Sequence, residues 1–145
     1  MQINTKYFST IDYTEEEVVH FPSGIIGFEV FRDYIIIQFN KENGSLFCLQ
    51  SIEEPALAFV ALKIANYIPD YPQTIADMTD TITSIEDFLF YTICVIHEPI
   101  SESTTNLKCP IVINFKTHEG AQIILENSEF AFKFPFSQLF KTEEA

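Results

Sequence analysis

Residues 34–51 read YIIIQFNKENGSLFCLQS. Two runs rich in β-branched and aromatic residues flank NKENGS, a cluster of turn formers too short to hold a crossover helix. The runs at 34–39 and 45–51 are therefore expected to be strands paired antiparallel.

The same texture extends in both directions. Further strands are expected at 3–8 (INTKYF), 17–21 (EVVHF), 57–62 (LAFVAL), 87–96 (DFLFYTICVI), 110–115 (PIVINF), 121–126 (AQIILE) and 130–134 (FAFKF). KTHEG and ENSE supply two more turns, and the spacing is that of a sandwich or barrel. One helix is expected within 71–87 (YPQTIADMTDTITSIED), with Thr74 capping a turn that carries Ile75 and Met78, and Ser84 with Asp87 as a weaker capping pair. One or two helical turns are the most this stretch supports. The fold class is all-β, an antiparallel barrel-like domain of about eight or nine short strands.

At 145 residues, 47% of them apolar, the chain fits a single domain over 1–145 with a proper core. It has no basic n-region followed by an apolar run, and no stretch near the ~18 apolar residues of a membrane span. A soluble cytoplasmic protein is expected. Cys48, Cys94 and Cys109 match neither a disulfide framework nor a CxxC pair, so buried reduced thiols are expected. Residues 43–45 (NGS) read as turn chemistry.

Charge narrows the function. Twenty-one acids against eight bases give −13, and residues 64–107 hold seven acids and no Lys or Arg. Direct nucleic-acid binding needs a basic face that displaces counterions, and an anionic membrane surface needs one too; both are excluded as expectations. What remains is solubility or a basic protein partner.

In FAFKFPF, period two places Phe130, Phe132, Phe134 and Phe136 on one face of an extended strand. Four rings in register call for burial as closure of the core, or alternatively make an aromatic strip offered to a partner. Pro135 has no N–H to donate, which puts this strand at an end or an edge.

Enzymatic chemistry finds little support. His20, His97 and His118 lack metal-ligand spacing, and no GxSxG elbow is present. Adjacent acids such as Glu53 and Glu54 point to opposite faces of an extended chain. The SGIIG segment at 23–27 is not a phosphate fingerprint, and its GxxG spacing lies between strands of an acidic chain, unlike a KH loop. No enzyme activity, metal or cofactor is expected.

Three segments carry a family likeness: FPSGIIGFEVFRDYIII (21–37), LQSIEEPALAFV (49–60) and NLKCPIVINFKTHEGAQIIL (106–125). In order and wording they resemble the FliW family of bacterial flagellar assembly factors. The resemblance implies a small antiparallel β-barrel-like protein without enzymatic activity. It implies as partners the RNA-binding translational repressor CsrA and, alternatively, flagellin, so that free flagellin releases the repressor to act on flagellin synthesis. The motif residues it singles out are Gly24, Gly27, Phe28, Gln50, Ser51, Pro55, Asn106, Pro110, Asn114 and Gln122, with Cys109 where members commonly have alanine.

An acidic chain is drawn to a basic RNA-binding protein by long-range attraction, so the acid-only region is the docking candidate. The residues chosen there are Asp70, Asp77, Asp80, Glu86 and Asp87, with Tyr67 and Tyr71 as aromatic anchors. For the amphipathic ends of flagellin, an apolar groove formed by Phe136 and Phe140, or by Ile25 and Ile26, is the candidate. Antagonism is either imitation of RNA phosphates or binding elsewhere on CsrA; the resemblance implies the second. Gly24 and Gly27 are expected at positive φ, Pro22 at the entry, and Phe28 returning to the core. The alternatives are a barrel holding an apolar ligand, a barrel enzyme with a spatially assembled site, and an acidic nucleic-acid mimic aimed at another basic protein.

Overall fold

The computed structural model describes residues 1–39, 44–126 and 128–139. Its strands are β1 (Gln2–Ile3), β2 (Ile11–Asp12), β3 (Val19–His20), β4 (Asp33–Gln38), β5 (Leu46–Ser51), β6 (Ala58–Lys63), β7 (Phe88–Val95), β8 (Thr104–Thr105), β9 (Ile111–Asn114), β10 (Glu119–Gln122) and β11 (Phe134–Pro135). Two short α-helices accompany them, α1 (Tyr71–Met78) and α2 (Phe136–Leu139).

Seven strands close a barrel in the order β7-β6-β5-β4-β3-β10-β9, with β9 pairing back onto β7. β7 makes the closure possible because it is eight residues long and divides its pairing. Its first half, Phe88 to Tyr91, pairs with β9, and Cys94 and Val95 pair with β8, which carries β11 outside the barrel. The all-β expectation therefore holds, with one departure from antiparallel pairing: β10 meets β3 parallel, through the single pair Glu119 and His20.

Alternate residues of the wall face different cores. Inward, Tyr34, Leu49, Ala61, Tyr91, Ile111 and Ile113 pack with Val19, Phe21 and Ile25. Rings meet edge to face there, Phe21 on Tyr34 at 5.4 Å and Phe47 on Tyr91 at 5.4 Å. The void lined by Ile36, Phe47, Leu49, Ala61, Tyr91 and Ile111 measures about 10 Å³, barely room for a water molecule. Side chains fill the space that an apolar ligand would need.

Outward, Leu62, Phe90, Cys94 and Val112 form a second core, covered by Tyr71 and Ile75 of α1 and by Phe136 and Leu139 of α2. This explains why DFLFYTICVI lacks polar alternation: β7 is buried on both faces. Among the described residues all three cysteines are free thiols and buried.

Several expected elements differ. The strand at 3–8 shrinks to β1, because Thr5 Oγ1 accepts from the Phe8 N–H at 2.9 Å and donates to the Ser9 carbonyl at 3.1 Å, bending the chain. The strand at 17–21 shrinks to β3, since Glu15–Glu17 is a 3-10 turn whose Glu17 carboxylate accepts from the Thr14 N–H at 2.9 Å. The last strand moves from 130–134 to β11, an edge position consistent with Pro135. Helix α1 starts from Asp70, not Thr74; the Thr74 hydroxyl lies inside it and donates to the Asp70 carbonyl at 3.0 Å. Met78 is exposed rather than packed.

Candidate partner-binding surface

The sequence-predicted acids fall on the cover of the outer core. Helix α1 buries Tyr71 and Ile75, one turn apart, and turns Asp77 outward, where its Oδ1 accepts from Gln73 Nε2 at 2.8 Å. Asp70, Asp77, Asp80 and Glu86 are exposed. Asp87 is different: it is half-buried and its Oδ1 lies 3.0 Å from Lys116 Nζ, so its charge is already offset. Among the described residues the other acids of 64–107 make no ion pair. Asp70, Asp77, Asp80 and Glu86 all lie on the connection between β6 and β7 and make it negative.

The two aromatic anchors separate. Tyr67 is half-buried at the end of the 3-10 turn Ile64–Asn66. Tyr71 is only 1% exposed, which removes it as a contact for any partner. Its hydroxyl donates to the Leu107 carbonyl and its ring meets Phe130 edge-on at 5.0 Å. Burial, and secondarily the Cys109 thiol, hold the phenol above the usual tyrosine range. A large ring suits an anchor, but the i, i+4 spacing of Tyr71 to Ile75 on α1 is the sequence signal that it faces inward.

The glycine loop divides likewise. Gly24 and Gly27 have φ of +71° and +88°. Between them Ile25 is 1% exposed and belongs to the barrel core, a correction to its reading as a contact, while Ile26 is 51% exposed. Phe28 does not return to the core: it is 40% exposed and rests edge-on against Phe59 at 5.3 Å. Val30, which the sequence reading passed over, is 76% exposed. The loop is tied down by Gln122, whose Oε1 accepts from the Ile26 N–H at 2.9 Å and whose Nε2 donates to the Cys109 carbonyl at 3.3 Å.

Other motif residues hold turns. Gln50 is fully buried; the two N–H groups of its Nε2 are shared among the carbonyls of Ser51, Pro55 and Leu57, and its Oε1 accepts from the Lys6 N–H at 2.9 Å. Ser51 Oγ accepts from the Glu54 N–H at 3.0 Å. Asn106 Oδ1 accepts from the N–H groups of Lys108 and Cys109, and Asn114 Oδ1 from those of Lys116 and Thr117. Pro110 is buried beside β9 and its carbonyl accepts from the Ile123 N–H at 2.9 Å.

The phenylalanine strip is not a continuous face. Phe136 is wholly buried on α2, Phe130 and Phe134 are half-buried, and Phe132 is 58% exposed with Lys108 Nζ 5.6 Å from its ring centre. Phe136 is thus corrected from contact to core residue, and burial of all four rings is not found. Phe140 lies outside the described residues. Beyond these, His20 Nδ1 sits 2.6 Å from Asp33 Oδ1 at the surface. Among the described residues no group of three or more His, Cys, Asp or Glu side chains could hold a metal ion, and no helix is long and apolar enough to cross a membrane. The displaced titrations are those of buried tyrosines and cysteines, all raised by burial first. None is an activated nucleophile.

Known proteins resemble this arrangement along nearly the whole chain. The model of the FliW protein family matches residues 2–136. A flagellar assembly factor FliW of Caldanaerobacter subterraneus subsp. tengcongensis is 40% identical over 144 residues, covering 97% of this chain and 96% of the relative. The protein of the same description from Thermoanaerobacter pseudethanolicus is 39% identical with the same coverage. A crystal structure of the flagellar assembly factor FliW superposes with a TM-score of 0.80 at 33% identity, covering 93% of this chain and 96% of the other.

Proposed function

The chain belongs to the FliW family, and from that premise we propose that it is a flagellar assembly factor that works by binding proteins rather than by transforming a substrate. Its partners in this reading are a CsrA-type RNA-binding repressor and flagellin, exchanged for one another. The observation that carries the reading is the negative flank: Asp70, Asp77, Asp80 and Glu86 are exposed on one connection between β6 and β7, without ion pairs among the described residues.

A repressor that binds RNA must present basic side chains, and charges of opposite sign accelerate encounter. Bound beside or away from the RNA site, the chain blocks or alters that site without imitating a phosphate backbone. Flagellin asks for something else, an apolar contact for amphipathic helical ends. Ile26, Phe28 and Val30 on the glycine loop supply exposed apolar area for it.

The test is association kinetics with purified repressor at low and high salt. Asp70→Asn, Asp77→Asn, Asp80→Asn and Glu86→Gln combined are expected to slow association about tenfold at low salt, with the gap narrowing as salt screens the field. Equal rates would mean the acids are solubilising only. A wild-type chain that retained neither repressor nor flagellin would remove the reading.

A further inference from the structure

A cleft of about 420 Å³ lies over the outer face of the β9–β10 hairpin, between the glycine loop and the connection from α1 to β7. Three of its lining residues stand in one row across adjacent strands: Phe88 on β7 is paired with Asn114 on β9, and Asn114 with Glu119 on β10. Paired residues share a face, so the Phe88 and Glu119 side chains rise from the same surface with Asn114 between them. Ser23, Thr81 and Thr117 add hydroxyl groups, and no Lys or Arg lines the space. Glu119 is exposed and makes no ion pair among the described residues, whereas the nearest base in sequence, Lys116, is engaged by Asp87 at 3.0 Å.

We propose that this cleft receives an arginine side chain of the basic protein partner. The inference rests on the preceding reading for the existence of that partner. A guanidinium is planar and weakly hydrated, so one face lies on the Phe88 ring while its edge donates to the Glu119 carboxylate. The hydroxyls accept from its remaining N–H groups. An anion is disfavoured, because the cleft offers a carboxylate and no cation. A lysine gains the charge attraction but lacks the flat face and the fork of donors. Asp80, next in sequence to Thr81 and without an ion pair among the described residues, adds negative charge near the cleft.

The experiment uses arginine amide as the probe, titrated into the isotopically labelled full chain and read by amide chemical shifts, beside lysine amide and the neutral isostere citrulline amide. Arginine amide is expected to move the amides of Phe88, Thr117 and Glu119, citrulline amide to leave them in place, and Glu119→Gln to weaken the arginine site about tenfold through loss of a charge-assisted hydrogen bond. Equal shifts from arginine and citrulline, binding of lysine amide as strong as arginine amide, or shifts confined to another face overturn the proposal. The same variant is titrated against the repressor. Undiminished repressor binding by Glu119→Gln removes the pocket and leaves the partner reading intact; arginine-amide binding without repressor binding keeps the pocket and removes that reading.

Discussion

A Cβ built on Gly120 would lie 2.5 Å from Cζ of Phe21, whose ring is wholly buried in the barrel. Here the glycine is required by close approach, not by its own backbone angle. Gly120→Ala forces the ring into neighbours that already fill the interior, and a loss of about 1–3 kcal/mol is expected from overpacking. A urea titration of the variant measures it. Unchanged stability would mean that the ring has somewhere to go.

Tyr71 offers a clean separation of stability from binding. Tyr71→Phe leaves the Leu107 carbonyl without its phenol donor inside the outer core, at an expected cost of about 1–3 kcal/mol. In the partner reading proposed above, affinity for repressor and flagellin should stay within twofold of wild type, because the side chain is covered. A variant that folds as firmly as wild type but binds less would restore Tyr71 to the interface.

The two loop glycines should respond unequally. At Gly24 both the positive φ and a Cβ 2.6 Å from the Glu29 Cα oppose a side chain, while at Gly27 nothing lies within 4 Å and only the backbone angle objects. Gly27→Ala is expected to cost about 1 kcal/mol and Gly24→Ala clearly more. Matched melting curves rank them, and the reverse order would contradict the loop geometry.

Alkaline pH should unfold the chain in a defined window. Burial pushes the phenols of Tyr34, with a further push from Glu53, and Tyr91 up to about 12, and the thiols of Cys48 and Cys94 up to about 11. Each group holds its proton more tightly when folded, so its contribution is intact below the unfolded value and lost as pH rises toward the folded one. The thiols act first, from about pH 9, and the phenols from about pH 10, each at up to about 1.4 kcal/mol per pH unit. Urea midpoints should be steady from pH 7 to 8.5 and fall from there to pH 11. A flat profile, or native thiols that react readily with Ellman's reagent at pH 8, would count against this burial.

Long elements were legible in the sequence and short ones were not. β4 to β7 announce themselves because each is a six- to eight-residue element rich in apolar side chains, with aromatic or β-branched residues among them and turn formers or a polar connection at its ends. β1, β2, β8 and β11 are two residues each, too short for a period to show, and are fixed by tertiary pairing. The acids at 70, 77, 80 and 86 could be placed on the surface by charge alone. Ile25 and Ile26, by contrast, are identical side chains on adjacent positions, and only the two left-handed glycines decide which one enters the barrel. Alternation predicted that Phe132 and Phe136 share a fate, but the chain turns into helix α2 at Phe136 and the pattern lapses.

One wall, β6, β7 and β9, separates the two hydrophobic interiors, with Ala61 and Tyr91 on one side and their chain neighbours Leu62 and Phe90 on the other. Relief of crowding on either side moves the backbone they share. Substitutions at residues that never touch, such as Ile113 within and Ile75 without, should therefore fail to add in a thermodynamic cycle, although distant sites normally do add. The two interiors are then coupled in volume: a change of side-chain size on one side of the wall should be felt as a shift of packing on the other.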